Sequence, residues 1–184
     1  EDKTVVKGRS ACGSCGRTLS PIDLVPILSF LALRGRCRTC GEAIPRRYLM
    51  MELGCLALGV WSAWAFDGPL TLVSALFGWW LLILAVIDGE HFWLPDRLTL
   101  PLGAVGLIQA VAFSLTGETT APWLDNLIGA AAGFAALWLI AFAYRRLRGR
   151  EGLGGGDPVL LGAIGAWVGW QGLPSVVVWA GVAG

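Results

Sequence analysis

Charge is scarce in this chain. Asp, Glu, Lys and Arg make up 15% of its 184 residues, and all fourteen Lys and Arg fall in three places: residues 3–47, Arg97, and Arg145 to Arg150. The net charge is only +1, and the basic run "RRLRGR" from Arg145 to Arg150 reads as a topology determinant that touches anionic lipid headgroups; beside a membrane span, nucleic acid is not an expected partner. Phosphate-cradling motifs are missing too. Neither G-x-x-x-x-G-K-[ST] nor a G-x-G-x-x-G within a strand–helix unit occurs, which argues against a nucleotide loop at the glycine run Gly154–Gly156. There is a single histidine, His91, three residues after Asp88 on an expected loop. A hydrogen-bonding role at a boundary suits it better than that of a general base.

What the chain has in abundance is apolar sequence. The hydrophobic fraction is 55% with ten Trp, above the roughly 45–50% of an ordinary globular domain. Apolar segments run near 49–66, 70–87, 98–116 and 123–143, each long enough for a membrane span of about 17–25 residues. A further pair, near 158–170 and 174–184, is divided by "GWQGLP" and reads as one broken helix, a re-entrant pair, or a full helix followed by a shorter one. The expected fold is all-α: a polytopic membrane helix bundle over residues 49–184, with about five to six apolar segments, behind a small cytoplasmic cysteine segment at 1–48. Because cytoplasmic loops collect Lys and Arg, the three cationic places belong inside and the connections around "FDGP" and "TGETTAP" outside. Asp88 and Asp157 then share one depth, near the cytoplasmic boundary.

The first 48 residues carry "CGSC" (Cys12, Cys15) and "CRTC" (Cys37, Cys40), two C-x2-C pairs separated by an insert of 21 residues. Each pair lets one turn supply two ligands, and two pairs complete a tetrahedral structural zinc site. Disulfides compete with this reading, but cytoplasmic thiols stay reduced. Cys55 lies inside the first span and reads as a buried apolar residue. The apolar insert "PIDLVPILSFLALRGR" is too short to span. It is expected to form a short helix on the membrane interface or on the other helices.

Carboxylates at a membrane edge are costly and are functional candidates by default. Asp157 precedes Pro158 and has a plain alternative as a helix N-cap, as does Asp96 in "LPDRLTLPL". Asp88 has none: it follows "WWLLILAVI" at the C-terminal end of a span, where the helix carbonyls disfavour an anion. The amides opening the fifth apolar segment favour one at Asp157. Two carboxylates in opposed environments suit acid–base activation of water. Gly154, Gly155 and Gly156 carry no side chains and leave room beside Asp157 for an extended substrate backbone.

Together these stretches resemble the type IV prepilin peptidase family, the bacterial leader peptidase and N-methyltransferase of the GxGD class of aspartic proteases. "RSACGSCGRTLSPIDLVPILSFLALRGRCRTCGEAIPRRYLMMEL" is similar to its cytoplasmic cysteine domain, "VIDGEHFWLPDRLTLPL" to its first aspartate motif and "GLGGGDPVLLGAIGAWVGW" to its second. The resemblance implies a multi-pass protein of the bacterial inner membrane whose site faces the cytoplasm. It implies Asp88 and Asp157 as the catalytic pair, Asp96 as a supporting residue, and prepilins or pseudopilins cut after a glycine. The new N-terminus is then methylated with S-adenosylmethionine, for which no motif is legible. The chain departs from the pattern at Val159, where the family commonly has lysine. By the same resemblance, spans are missing from both ends. The rival reading is a non-catalytic membrane scaffold whose zinc knuckle binds a cytoplasmic partner.

Overall fold

The structure, a computed structural model, describes residues 10–117, 123–150 and 152–183. Among these the only extended pairings are two isolated bridges, Ala11 with Thr18 and Arg36 with Ala43. A 3-10 turn at Pro21–Leu24 and a short helix α1, Leu28–Ala32, are followed by α2 (Arg46–Ala65), α3 (Pro69–His91), α4 (Asp96–Thr116), α5 (Trp123–Arg148) and α6 (Gly156–Ala183). The last five are long and apolar enough to cross a membrane. The all-α, multi-span expectation therefore holds. His91 closes α3 instead of lying on a loop: the helix runs on for one polar, exposed turn after the apolar run ends at Ile87.

Contacts divide the chain into two compact units, Glu1–Leu82 and Ile83–Gly184. In the first, large side chains fill the places of small ones between α2 and α3. Leu82 packs at Gly54, Trp79 at Gly59 and Leu58 at Gly78. The Trp79 indole donates to the Cys55 carbonyl at 2.8 Å, and Cys55 itself is half-buried, less enclosed than the sequence suggested. The insert before α2 is not one helix. Pro26 interrupts it, since it lacks an amide and disfavours helix in the residue before it, and Ile27 adopts φ 61°. Glu52 on α2 accepts the freed Ile27 amide at 2.7 Å.

The second unit is built on α6. A third of its apolar window, 33%, is buried, against 11% in α5. On one side Gly129 and Gly133 of α5 meet Gly165, Leu161 and Gly162 of α6 so closely that a Cβ at Gly129, Gly133 or Gly165 would strike backbone. On the other side Gly103 of α4 lies against Ala163, Gly106 accommodates Trp167, and the Trp167 indole donates to the Leu102 carbonyl at 2.8 Å. Small residues let helix backbones approach where lipid offers no hydrophobic drive for association. Thr99 and Leu102 are fully buried in this unit.

The ambiguous pair of C-terminal segments is one helix with a break. Gly169 takes φ 69°, ψ 174°, which ends one helical ladder and starts another. Carbonyls before such a break lose their partners, and unsatisfied backbone is expensive in lipid. Asn126, buried at the start of α5, supplies them: its amide nitrogen donates to the carbonyls of Ala166 (3.0 Å) and Trp167 (3.1 Å).

Candidate active site and metal centre

The four expected cysteines come together. The Sγ atoms of Cys12, Cys15, Cys37 and Cys40 all lie within 4.8 Å of one another, and Cys12 and Cys40 are 3.8 Å apart. Metal–sulfur bonds of about 2.3 Å in a tetrahedron place sulfurs at about that spacing. The two pairs are built alike, each bond of the first recurring 25 positions on. The amide of Cys12 donates to Arg17 and that of Cys37 to Glu42, while Gly16 donates to Cys12 and Gly41 to Cys37. Gly16 and Gly41 take φ of 68° and 71°, values open to glycine at little cost. That conformation folds the chain back so that amides point at sulfur.

Those amides act on the thiols. The Cys15 and Ser14 amides lower Cys12, and the Cys40 and Thr39 amides hold Cys37 at about 6. Cys40 is pulled down by the Glu42 amide, but the Cys37 thiol, burial and the other two thiols outweigh it and push Cys40 up to about 12. Four thiolates this close repel, and a divalent cation is what lets all four ionise together. The donor set and spacing fit zinc.

Asp23 joins the two halves, a role no sequence signal gave it. Its side chain is only 4% exposed and pairs with Arg17 at 3.1 Å and Arg38 at 3.0 Å, one arginine from each knuckle. The Arg38 contact is an ion pair without hydrogen-bond alignment. Ser20 donates to Asp23 through both its hydroxyl (2.8 Å) and its amide (3.1 Å). These Ser20 bonds, then Arg38 and Arg17, hold the carboxyl below the usual aspartate range. Its stabilising contribution is thus complete above that range and is lost as pH falls through the lowered value. Arg17 also donates to Thr39 at 2.8 Å, a second link across the halves.

Asp88, Asp96 and Asp157 all fall within the second unit. Asp88 is exposed in the last turn of α3, and its carbonyl accepts the Phe92 amide at 2.7 Å. Phe92 takes φ 51° to make that bond, a left-handed conformation costing about 1–2 kcal/mol for a residue with a Cβ. Asp96 is the first residue of α4, one position after its N-cap Pro95, and makes no capping bond. Asp157 is not a conventional cap either. Its Oδ2 reaches back to accept the Gly154 amide at 3.0 Å, while its own amide donates to the Gly154 carbonyl at 3.2 Å. Gly156 abuts Leu94, where a Cβ would come within 2.8 Å. The glycine loop therefore rests on the connection between α3 and α4, two residues short of Asp96. Among the described residues no hydrogen bond or ion pair joins the three carboxylates, and Val159 is half-buried in the first turn of α6.

A family model described as the type IV leader peptidase family matches residues 75–184, and one described as the bacterial peptidase A24 N-terminal domain matches residues 1–66. A prepilin leader peptidase/N-methyltransferase of Burkholderia pseudomallei is 47% identical over 180 residues, 96% of this chain and 56% of that protein. Its counterpart in Aeromonas salmonicida is 42% identical over 177 residues, 96% of this chain and 59% of that protein. One from Klebsiella pneumoniae is 42% identical over 172 residues, 93% and 73% of the two chains. The chain thus spans less than two thirds of the first two relatives. No solved structure matches it.

Proposed function

Because the chain belongs to the type IV leader peptidase family, we propose that it is a membrane aspartic endopeptidase that removes the leader of type IV prepilins or pseudopilins. The cut follows a glycine, on the cytoplasmic side of the bacterial inner membrane. Cationic residues precede α2 and follow α3 and α5, which supports that orientation. Asp88 and Asp157 activate the water. One carboxylate takes its proton as the oxygen attacks the scissile carbonyl, the other gives a proton to the carbonyl oxygen, and the C–N bond then breaks with the amine protonated. Asp96 supports the site, and Gly154 and Gly156 keep the loop narrow.

The observation that carries this reading is the Gly154 amide bound to Asp157 Oδ2 in a loop seated against Leu94. A side chain at Gly156 would push the loop off the connection that bears the first aspartate motif. Oδ1 is left to receive a water proton. Cys12, Cys15, Cys37 and Cys40 would hold zinc as a structural ion. The relatives' names further support N-methylation of the new terminus, for which S-adenosylmethionine would supply the methyl group; no residue is assigned to it.

The test is cleavage of a synthetic prepilin leader peptide by the detergent-solubilised chain, followed by mass spectrometry. A cut after the leader glycine that Asp88→Asn and Asp157→Asn each abolish supports the dyad. A further mass gain of one methyl with S-adenosylmethionine supports the second activity. Absence of cleavage by a folded, zinc-loaded protein would instead favour the scaffold.

A further inference from the structure

The insert between the two cysteine pairs is built inside out. Ile22, Leu24, Leu28 and Leu31 are each more than half exposed, while polar side chains of the same stretch turn inward: Asp23 is 4% exposed and Ser29 is half-buried. Leu28 and Leu31, three residues apart, share one face of α1. Phe30 serves the module itself, its ring packed where a Cβ on Gly35 would stand. Four large aliphatic side chains turned outward on so small a module mark a contact with something apolar.

Depth and charge say what that contact is. The Ile27 amide is bound to Glu52 at 2.7 Å, and Glu52 lies on α2, about 9 Å along the axis from its first residue, Arg46. The helix has 20 residues, so it is about 30 Å long, the thickness of a hydrocarbon core. Side chains on a helix lean toward its N-terminus, so this bond holds Ile27 at the first turns of the span. Apolar faces of interfacial helices sit at that level, about 5–10 Å into the boundary between headgroups and acyl chains. Exposed arginines flank the apolar group in the chain, Arg34 and Arg36 after α1 and Arg46 in the first turn of α2. Asp23 is engaged by Arg17 and Arg38, and Glu52 by the Ile27 amide. An apolar face with cations beside it complements acyl chains under anionic headgroups.

We propose that Ile22, Leu24, Leu28 and Leu31 dip into the bilayer surface beside α2, and that Arg34, Arg36 and Arg46 bind the phosphates of anionic phospholipids. The cysteine module is then docked on the membrane as well as joined to it by a span. The insert is its foot, and the two knuckles stand at either end of that foot in the chain. This inference does not depend on the peptidase reading.

The experiment places the photo-crosslinker p-benzoylphenylalanine at the position of Leu28 in one sample and of Glu42, an exposed polar position of the same module, in another. The full chain is held in nanodiscs of phosphatidylcholine mixed with phosphatidylglycerol, and adducts are identified by mass. Several-fold more phospholipid adduct is expected at Leu28 than at Glu42, with phosphatidylglycerol enriched above its share of the bilayer. Arg34→Gln combined with Arg36→Gln should return it to that share. Zinc content reports that the module is folded, and Leu31 carries the crosslinker if the Leu28 sample loses zinc. A peptide adduct in place of lipid assigns the face to a protein partner or a second copy and overturns the proposal. Lipid adduct no greater than at Glu42 overturns it as well, and adducts that mirror the bulk lipid ratio in the wild-type arginine background overturn the headgroup contacts.

Discussion

The cysteine module and the α5–α6 pair hold themselves together by opposite means. The module at residues 10–44 has almost no buried apolar surface: Ile22, Leu24, Leu28 and Leu31 are all more than half exposed. It relies instead on four convergent thiols, two mirrored turns and the Asp23 ion pairs. The helix pair uses no charge. Its closest contacts run through glycine, Gly129 against Gly165 and Gly133 against Leu161 and Gly162, with one asparagine at the break. The difference teaches where each region is fragile. A module whose four thiols would share one ion is expected to fail as a unit when a ligand is lost, whereas a packed helix pair degrades by increments according to how much room a change demands.

The largest effect should come from the module. Cys37→Ser is expected to reduce bound zinc from stoichiometric to near zero and expose residues 10–44 to limited proteolysis, since structural zinc supplies on the order of 10 kcal/mol in small sites. Elemental analysis with a protease time course measures both. Retained zinc in that variant would break the comparison at its first half. For the helix pair, Gly165→Ala drives a methyl into the Gly129 carbonyl and should cost about 1–3 kcal/mol, read as a lower thermal midpoint in detergent with zinc still bound. Gly89→Ala, which meets open space within α3, should change the midpoint in the opposite direction, by about 0.5–1 kcal/mol.

Two smaller changes sharpen the contrast. Asn126→Ala removes both donors to the broken ladder of α6, and hydrogen bonds between membrane helices average about 0.6 kcal/mol, with a maximum near 1.7. Hydrogen exchange at residues 166–171 should quicken in that variant while the rest of α6 stays protected. Asp23→Asn weakens both arginine pairs without touching a ligand. It is expected to speed zinc transfer to a chelator at neutral pH a few-fold and to leave the thermal midpoint of the helices where it was.

Much of this architecture is legible in the sequence because its signals are local. Four of the five long helices begin and end within a few residues of the apolar runs, and C-x2-C spacing announces a four-thiol cluster before any geometry is seen. What escapes is whatever depends on a distant partner. Asp23 sits in an apolar insert, and nothing near it reveals that arginines from two different turns converge there. "GWQGLP" permits three backbone courses, and Asn126, more than forty positions upstream, meets the carbonyls that the break frees. Pro26 was visible, but its effect depends on Glu52 taking up the Ile27 amide. The aspartate motifs were readable one by one, while the reach of Asp157 back to Gly154 instead of forward into its helix is a property of the folded loop.

The break at Gly169 also bears on how the protein meets membranes of different thickness. A straight helix of the 28 residues in α6 would be about 42 Å long, well beyond a hydrocarbon core of about 30 Å. Without a joint, such a rod would accommodate the mismatch by tilting as a whole, and Asp157 at its first turn would swing with it. Here the portion before Gly169, about 20 Å long, is clamped on both sides by Gly129, Gly133, Gly103 and Gly106. The portion beyond it is largely exposed, from Val177 to Val182. Changes in bilayer thickness are therefore expected to fall on the distal arm beyond Gly169, with the carboxylate end of the helix held by its packing.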